Sequence, residues 1–186
     1  MTAAAREDRV RPTPVSDAEL VTLVVSGDHA AIGALYDRHA STLLAVAYRL
    51  LMSKADAEDV VHDVFVGLPE ALRRYEERGT FVSWLKRVTV RVALGRLRRE
   101  EVRAAQALDA GLAAPSHDAA AAIDLAMAVA SLPSSLRAVL MLKEVEGYSH
   151  AEISDMVGIS EAASKVRLHR ALRALRRMLE KGDEDR

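Results

Sequence analysis

The sequence predicts an all-α protein made of two small helical domains joined by a flexible linker, the C-terminal domain being a helix-turn-helix. Three observations point there. Half of the 186 residues are apolar but only 4% are aromatic, and alanine is very abundant, a composition that suits helices better than sheets. Apolar residues recur at helical spacing, and no convincing alternating strand appears. Between two such regions, residues 101–121 turn to Ala, Asp, Gly111, Pro115, Ser116 and His117 with weak periodicity, as a linker does. The expected division is a disordered tail over residues 1–15, a first domain over 16–100, the linker over 101–121, and a second domain over 122–181.

The tail contains Pro12 and Pro14 and is otherwise polar. Ser16 and Glu19 then stand at capping-box spacing, in which hydroxyl and carboxylate each satisfy an unpaired amide at a helix start. Leu20, Leu23 and Val24 give that helix a buried face. Gly27-Asp28 interrupts the pattern, and a longer periodic segment runs from Ala31 through Leu35, Tyr36, Leu43, Leu44 and Ala47 to Leu51. Ser53-Lys54 marks a turn into a two-sided helix over Asp56–Leu68. Ala57, Val60, Val61, Val64, Phe65 and Leu68 share one arc, and Glu58, Asp59, His62 and Asp63 share the other. Acids near a helix N-terminus favour its dipole, which accounts for Asp56, Glu58 and Asp59 structurally. The functional alternative is that this acidic face docks on a basic partner. Pro69 ends or bends the helix.

After the charged stretch 73–79, Phe81, Trp84 and Leu85 lead into a basic helix. It carries Leu85, Val88 and Val92 on one strip and Val90, Leu94 and Leu97 on another, with Arg87, Arg91 and Arg98 between them. Phe81 and Trp84 read equally as core anchors or as stacking platforms, because aromatics beside a basic ridge suit single-stranded nucleic acid. The second domain opens with Ile123, Leu125 and Val129, breaks at Leu132-Pro133, and continues with Leu136, Val139, Leu140 and Leu142. Ser149 and Glu152 form a second capping box, Gly158 suits a left-handed helix end, and Ser160 caps the last helix. That helix has Leu168, Leu172, Leu175 and Leu179 in a narrow arc, with Arg170, Arg173 and Arg177 well round from it. A capped helix, a Gly turn and a longer basic helix describe a helix-turn-helix, whose second helix enters the major groove. Ala162, Ala163, Lys165, Val166 and Arg170 would face DNA. Ser164 stands where such motifs usually bury an aliphatic group.

The formal net charge of −1 conceals segregation, since basic residues crowd into Lys86–Arg103 and Lys165–Lys181. Cysteine is absent, which excludes disulfides and thiolate metal sites and suits a reducing compartment. No apolar run is long enough to cross a bilayer, and Met1–Val10 lacks a signal-peptide core, so a cytoplasmic location without membrane insertion is expected. The six His residues show no HExxH spacing and the acids no Gly-rich phosphate loop. No catalytic residue, metal or cofactor is expected.

Three separated segments, in one order, resemble the extracytoplasmic-function (ECF) group of the bacterial sigma-70 family. Asp56–Phe65 resembles its second conserved region. Phe81-Val82-Ser83-Trp84-Leu85-Lys86-Arg87 through Arg96-Leu97-Arg98-Arg99 resembles its promoter-melting segment. Leu132-Pro133 through Glu144-Val145-Glu146-Gly147-Tyr148-Ser149 to Ala171 resembles its fourth region. The resemblance spans roughly residues 18–180. It implies a subunit rather than an enzyme, one that directs promoter-specific initiation.

By this similarity, Glu58, Asp59, His62 and Asp63 contact the clamp helices of the largest subunit of core RNA polymerase, with the flap region a second polymerase contact. A loop over Arg73–Ser83 captures a base flipped from the −10 element, whose site comprises Arg74, Tyr75, Phe81, Trp84, Arg87, Arg91 and Arg98. Ala162, Ala163, Lys165, Val166, Arg167, Arg170 and Arg173 read the −35 duplex of promoter DNA, and an anti-sigma factor restrains the whole. The chain departs from the family where His62 replaces the usual Gln, and where Arg91 and Gly95 replace common polar residues. Two other classes remain open on the residues alone: a polymerase-independent helix-turn-helix regulator, and a helical module that sequesters another protein. The first leaves the acidic helix and the Phe81–Arg99 ridge without a purpose.

Overall fold

The computed structural model describes residues 15–76, 79–109 and 125–184, and these are helical with no strand among them. Helix α1 (Asp17–Val25) starts where its capping box lies: the Glu19 amide donates to the Ser16 hydroxyl at 3.3 Å, and the Ser16 amide to the Glu19 carboxylate at 2.7 Å. Gly27, at φ +96°, turns the chain, and the Asp28 carboxylate caps α2 (His29–Leu51). Helix α2 is the spine of the first body, burying Leu35, Leu43, Val46, Ala47 and Leu50. It ends at Met52 in the left-handed conformation, after which the Ser53 hydroxyl caps α3 (Lys54–Val66).

All the residues expected on the apolar arc of α3, together with Leu68, are buried. The helix nevertheless differs in extent from the expected Asp56–Leu68. It starts two residues earlier, because Ser53 is the cap, and stops at Val66. Gly67 then breaks the path before a short α4 (Leu68–Leu72), with Pro69 in its first turn, where a missing amide costs nothing.

Helix α5 (Phe81–Asp109) is about 44 Å long at 1.5 Å per residue. It buries Leu85, Thr89, Val90, Ala93, Leu94 and Leu97. Its continuation to Asp109 makes the first nine residues of the expected 101–121 linker helical, and residues 110–124 lie outside the described ones, as do 1–14.

The second body contains α6 (Leu125–Ala130), α7 (Ser134–Leu140), a π-helical turn (Met141–Val145), α8 (His150–Val157) and α9 (Glu161–Glu184). The π turn was not expected. It is closed by the Glu146 amide donating to the Met141 carbonyl at 3.0 Å, five residues back. Both termini of α8 follow expectation, with the Ser149/Glu152 capping box at its start and Gly158 at φ +74° at its end. The Ala163 amide donates to the Ser160 hydroxyl at 3.1 Å, so α9 is capped as well. Four residues expected in the core are exposed: Leu23 (40%), Tyr36 (45%), Leu125 (55%) and Leu172 (47%). Ala171 and Leu175 are the buried apolar groups of α9, and Leu168 and Leu179 are half-buried against the same core, so three of the four expected leucines face it and Leu172 alone does not.

Two apolar cores result. One lies wholly within the first body and joins Leu20, Leu35, Leu43, Val61, Phe65, Phe81 and Leu85. The other is shared: Val46, Leu50, Val90, Leu94 and Leu97 of the first body form one cluster with Leu132, Val139, Leu142, Ile153 and Met156 of the second. Burying each such aliphatic side chain contributes about 1.5–3 kcal/mol. Loose tethering is therefore the expectation that changes. In this conformation the two bodies are packed together.

Candidate nucleic-acid interface

Sequence and packing together make α3 an element with one free side. Its apolar arc is sealed against α2 and α5, which leaves Glu58, Asp59, His62 and Asp63 exposed along the opposite face. Arg96 of α5 reaches back to this helix, pairing with Asp56 and, at 3.1 Å, with Asp59. The Asp59 carboxylate stays 63% exposed. The Ser53 hydroxyl, followed by the charge of Arg96, holds the Asp56 carboxyl below its usual range. Arg96 thus fixes the acidic helix against the basic one. It sits within the arginine-rich run of α5, where it reads as one more cation of the ridge.

At the N-terminal end of α5 the aromatic residues gather. Tyr75 lies 4.9 Å from Trp84 and 5.8 Å from Phe81, and Phe81 stacks on Trp84 at 5.7 Å with an interplanar angle of 24°. Phe81 is 7% exposed, and His39 approaches it edge-on at 5.7 Å. Of the two readings of Phe81, the anchor accounts for its burial, and its ring also forms part of the wall of the adjoining cleft. Tyr75 and Trp84 are only half-buried.

Beside them is a cleft of about 510 Å³ lined by Asp17, Val21, Thr22, Tyr75, Thr80 and Phe81 among others. Asp17 was missed as a site residue because it reads as a first-turn acid. Burial raises the pKa of its carboxyl, but hydrogen bonds from Arg38 at 2.6 Å and His39 at 3.1 Å outweigh that and hold it low. Arg74, Arg91 and Arg98 are exposed and Arg87 is half-buried, the last three on α5.

In the helix-turn-helix, Ala162, Lys165, Val166, Arg170 and Arg173 are exposed and Ala163 is half-buried, an open face on the N-terminal part of α9. Lys165 pairs with Glu161 one turn back at 2.7 Å. Arg167 differs from its group: it is half-buried and lines a cleft of about 220 Å³ between the two bodies, with Leu94, Leu97 and Arg98. Ser164 is fully buried, as an aliphatic residue would be, because His150 Nδ1 lies 2.9 Å from its hydroxyl and satisfies it. Among the described residues, no cluster of three or more His, Asp or Glu is placed to hold a metal ion.

Comparison with known proteins bears on the same two bodies. The sigma-70 region 2 family model matches residues 35–103, and the sigma-70 region 4 model matches residues 122–175. This chain belongs to the sigma-70 family. It is an ECF RNA polymerase sigma factor, whose work is promoter-directed transcription initiation. The ECF sigma factor SigE of Mycolicibacterium smegmatis is 32% identical over 169 residues, covering 84% of this chain and 65% of that protein. SigM of Mycobacterium tuberculosis is 32% identical over 168 residues, covering 88% of this chain and 85% of that protein.

Among solved structures, CnrH in complex with the cytosolic domain of CnrY is similar at 25% identity with a TM-score of 0.54, over 87% of this sigma factor and 96% of that chain. The sigma factor RpoE in complex with the anti-sigma factor NepR from Bartonella quintana shares the fold at 22% identity, with a TM-score of 0.59 and coverage of 80% and 96%.

Proposed function

We propose that this sigma factor docks on core polymerase through the exposed acidic face of α3, captures and melts the −10 element with the Tyr75–Trp84 cleft and the α5 ridge, and reads the −35 duplex with α9. The observation that carries the reading is the division of exposed charge within one body. Carboxylates line α3 at Glu58, Asp59 and Asp63, and guanidinium groups surround α5 at Arg87, Arg91 and Arg98. The first face suits a basic protein surface, the second a phosphate backbone.

Unstacking a base costs a few kcal/mol, so a cleft that holds only an extruded base turns that cost into sequence choice. The cleft beside Tyr75 and Thr80 is large enough for a nucleobase and has a ring on one wall and polar groups on others. Phosphate contacts from Lys165, Arg170 and Arg173 position α9, while Ala162, Ala163 and Val166 offer apolar contact to base edges. The role is binding rather than catalysis. A cytoplasmic location fits it, and no described helix is long and apolar enough to cross a membrane. By analogy with CnrH and RpoE, whose structures are complexes, an anti-sigma protein is the expected regulator.

The test is run-off transcription from sheared genomic DNA with core polymerase, repeated with Asp59→Arg. The wild type should direct discrete initiation. Asp59→Arg should weaken core binding at least about ten-fold, equivalent to about 1.4 kcal/mol, while helicity by circular dichroism is unchanged. Unaltered core affinity in the variant would remove α3 as the docking face.

A further inference from the structure

The cleft of about 220 Å³ where α5, α7, α8 and α9 meet is used by neither the docking nor the promoter reading. Much of its lining is apolar: Leu94 and Leu97 of α5, Ala138 of α7, Val157 at the end of α8, and Ile159 in the turn that follows. Its charged lining is unequal. The guanidinium groups of Arg98 and Arg167 and the single carboxylate of Glu101 border it, which leaves one net positive charge.

Two of those three groups are engaged. Arg98 donates to the Val157 carbonyl at 3.4 Å, and Glu101 accepts from the Ser134 hydroxyl. Arg167 is half-buried, and among the described residues nothing accepts from it. The other cations on its helix are better placed, since Lys165 pairs with Glu161 and Arg170 and Arg173 are exposed to water. A guanidinium has five N–H donors, and turning it half away from water without an acceptor is unfavourable.

We infer that this cleft binds a small organic monoanion, an aliphatic or aromatic carboxylate whose chain or ring lies against Leu94, Leu97 and Ile159 while its carboxylate accepts from Arg167. Charge sets the class, because a monoanion cancels the one net positive charge and a dianion would leave excess negative charge beside Glu101. Size narrows it further. A cleft of this volume admits a short chain or a single ring, not a nucleotide. Both bodies build the site, and its chemistry is independent of where polymerase or promoter DNA binds.

The probe is hexanoate, titrated into the full chain while the leucine, valine and isoleucine methyl groups are followed by NMR. The methyl groups of Leu94, Leu97, Val157 and Ile159 should shift together and saturate with a Kd of about 1 mM. Acetate and 1-hexanol each lack one half of the probe and should bind at least about ten-fold more weakly. Arg167→Gln should weaken hexanoate about ten-fold with helicity by circular dichroism unchanged, and Arg167→Lys should recover part of the loss. Arg176→Gln removes an exposed cation of the same helix outside the cleft and should leave the affinity unaltered. Glu101→Gln keeps an acceptor for Ser134 but loses the opposing charge, and should tighten hexanoate about three-fold.

Equal binding of acetate or 1-hexanol overturns the inference, as does full affinity in Arg167→Gln or equal weakening in Arg176→Gln. Weaker binding in Glu101→Gln does the same. So do shifts confined to methyl groups outside the cleft, or shifts that never saturate.

Discussion

Arg137 is buried, and the groups it satisfies are three backbone carbonyls, those of Leu50, Ala130 and Leu132, at 3.0–3.1 Å. Burial pushes its guanidinium pKa down from the usual value. Leu50 lies at the C-terminal end of α2, where carbonyls run out of helical donors and the helix dipole is negative, so a cation there is well placed. Arg137→Met keeps much of the volume but removes the donors from all three oxygens. The expected loss is about 3 kcal/mol in urea unfolding; a loss within 0.5 kcal/mol of wild type would mean that water replaces the guanidinium freely. In the sequence this residue is one arginine among many on a short amphipathic helix. Nothing local tells a buried arginine from a solvated one. Ser164 is the opposite case, since its place in the motif already marked it as buried, and only its partner, His150, had to come from the fold.

At the scale of elements, what was legible was whatever is settled within four residues. The capping boxes of α1 and α8, the Ser160 cap and the Gly158 turn all depend on contacts within a few residues of their own backbone, and each is found where the spacing puts it. The apolar arc of α3 was equally legible. The buried line of α9 was legible except at Leu172, because which residue at the edge of a wide arc faces inward depends on how α7 packs against it. Gly158 gives the sharpest test of the turn. At φ +74° an added Cβ is strained even though the nearest group, Arg98 Nη1, is an ordinary 3.9 Å away. Gly158→Ala should therefore cost about 1 kcal/mol, read as a drop in urea midpoint, with no change in oligomeric state. A neutral result would show that α8 and α9 re-form the turn with a different dihedral.

For the whole molecule, the family and its two bodies were readable from three motifs in order, yet the face that joins the bodies was not. Leu51, Leu94 and Leu142 each read as core of their own domain, and nothing in their spacing says that they meet. Stability against acid is also a property of the whole. Five carboxylates have lowered pKa values. Glu19 and Glu152 are held down chiefly by bonds from their capping serines, Asp56 by Ser53 and then Arg96, Glu161 by Lys165, and Asp17 by Arg38 and His39 against the opposing effect of burial. A carboxyl whose folded pKa lies below its unfolded one binds fewer protons when native. Its contribution is complete above the unfolded values of 3.8 and 4.5 and is lost as pH falls through the folded ones. The melting temperature should hold level from about pH 7 to 5 and fall below about pH 4.5, followed by circular dichroism. A level curve down to about pH 3 would show that these bonds persist in the unfolded chain.

The π turn at Met141–Val145 has a meaning for how such a chain can change over generations. It is a helix wound one residue slack, and Glu146 is the first group after it. Shortening that winding by one position would swing everything downstream by about 100°, carrying the Glu146 carboxylate off Arg49 and Lys86 while every side chain of α9 keeps its identity. Length alone, with no substitution anywhere, is thus a dial on how the two bodies are joined.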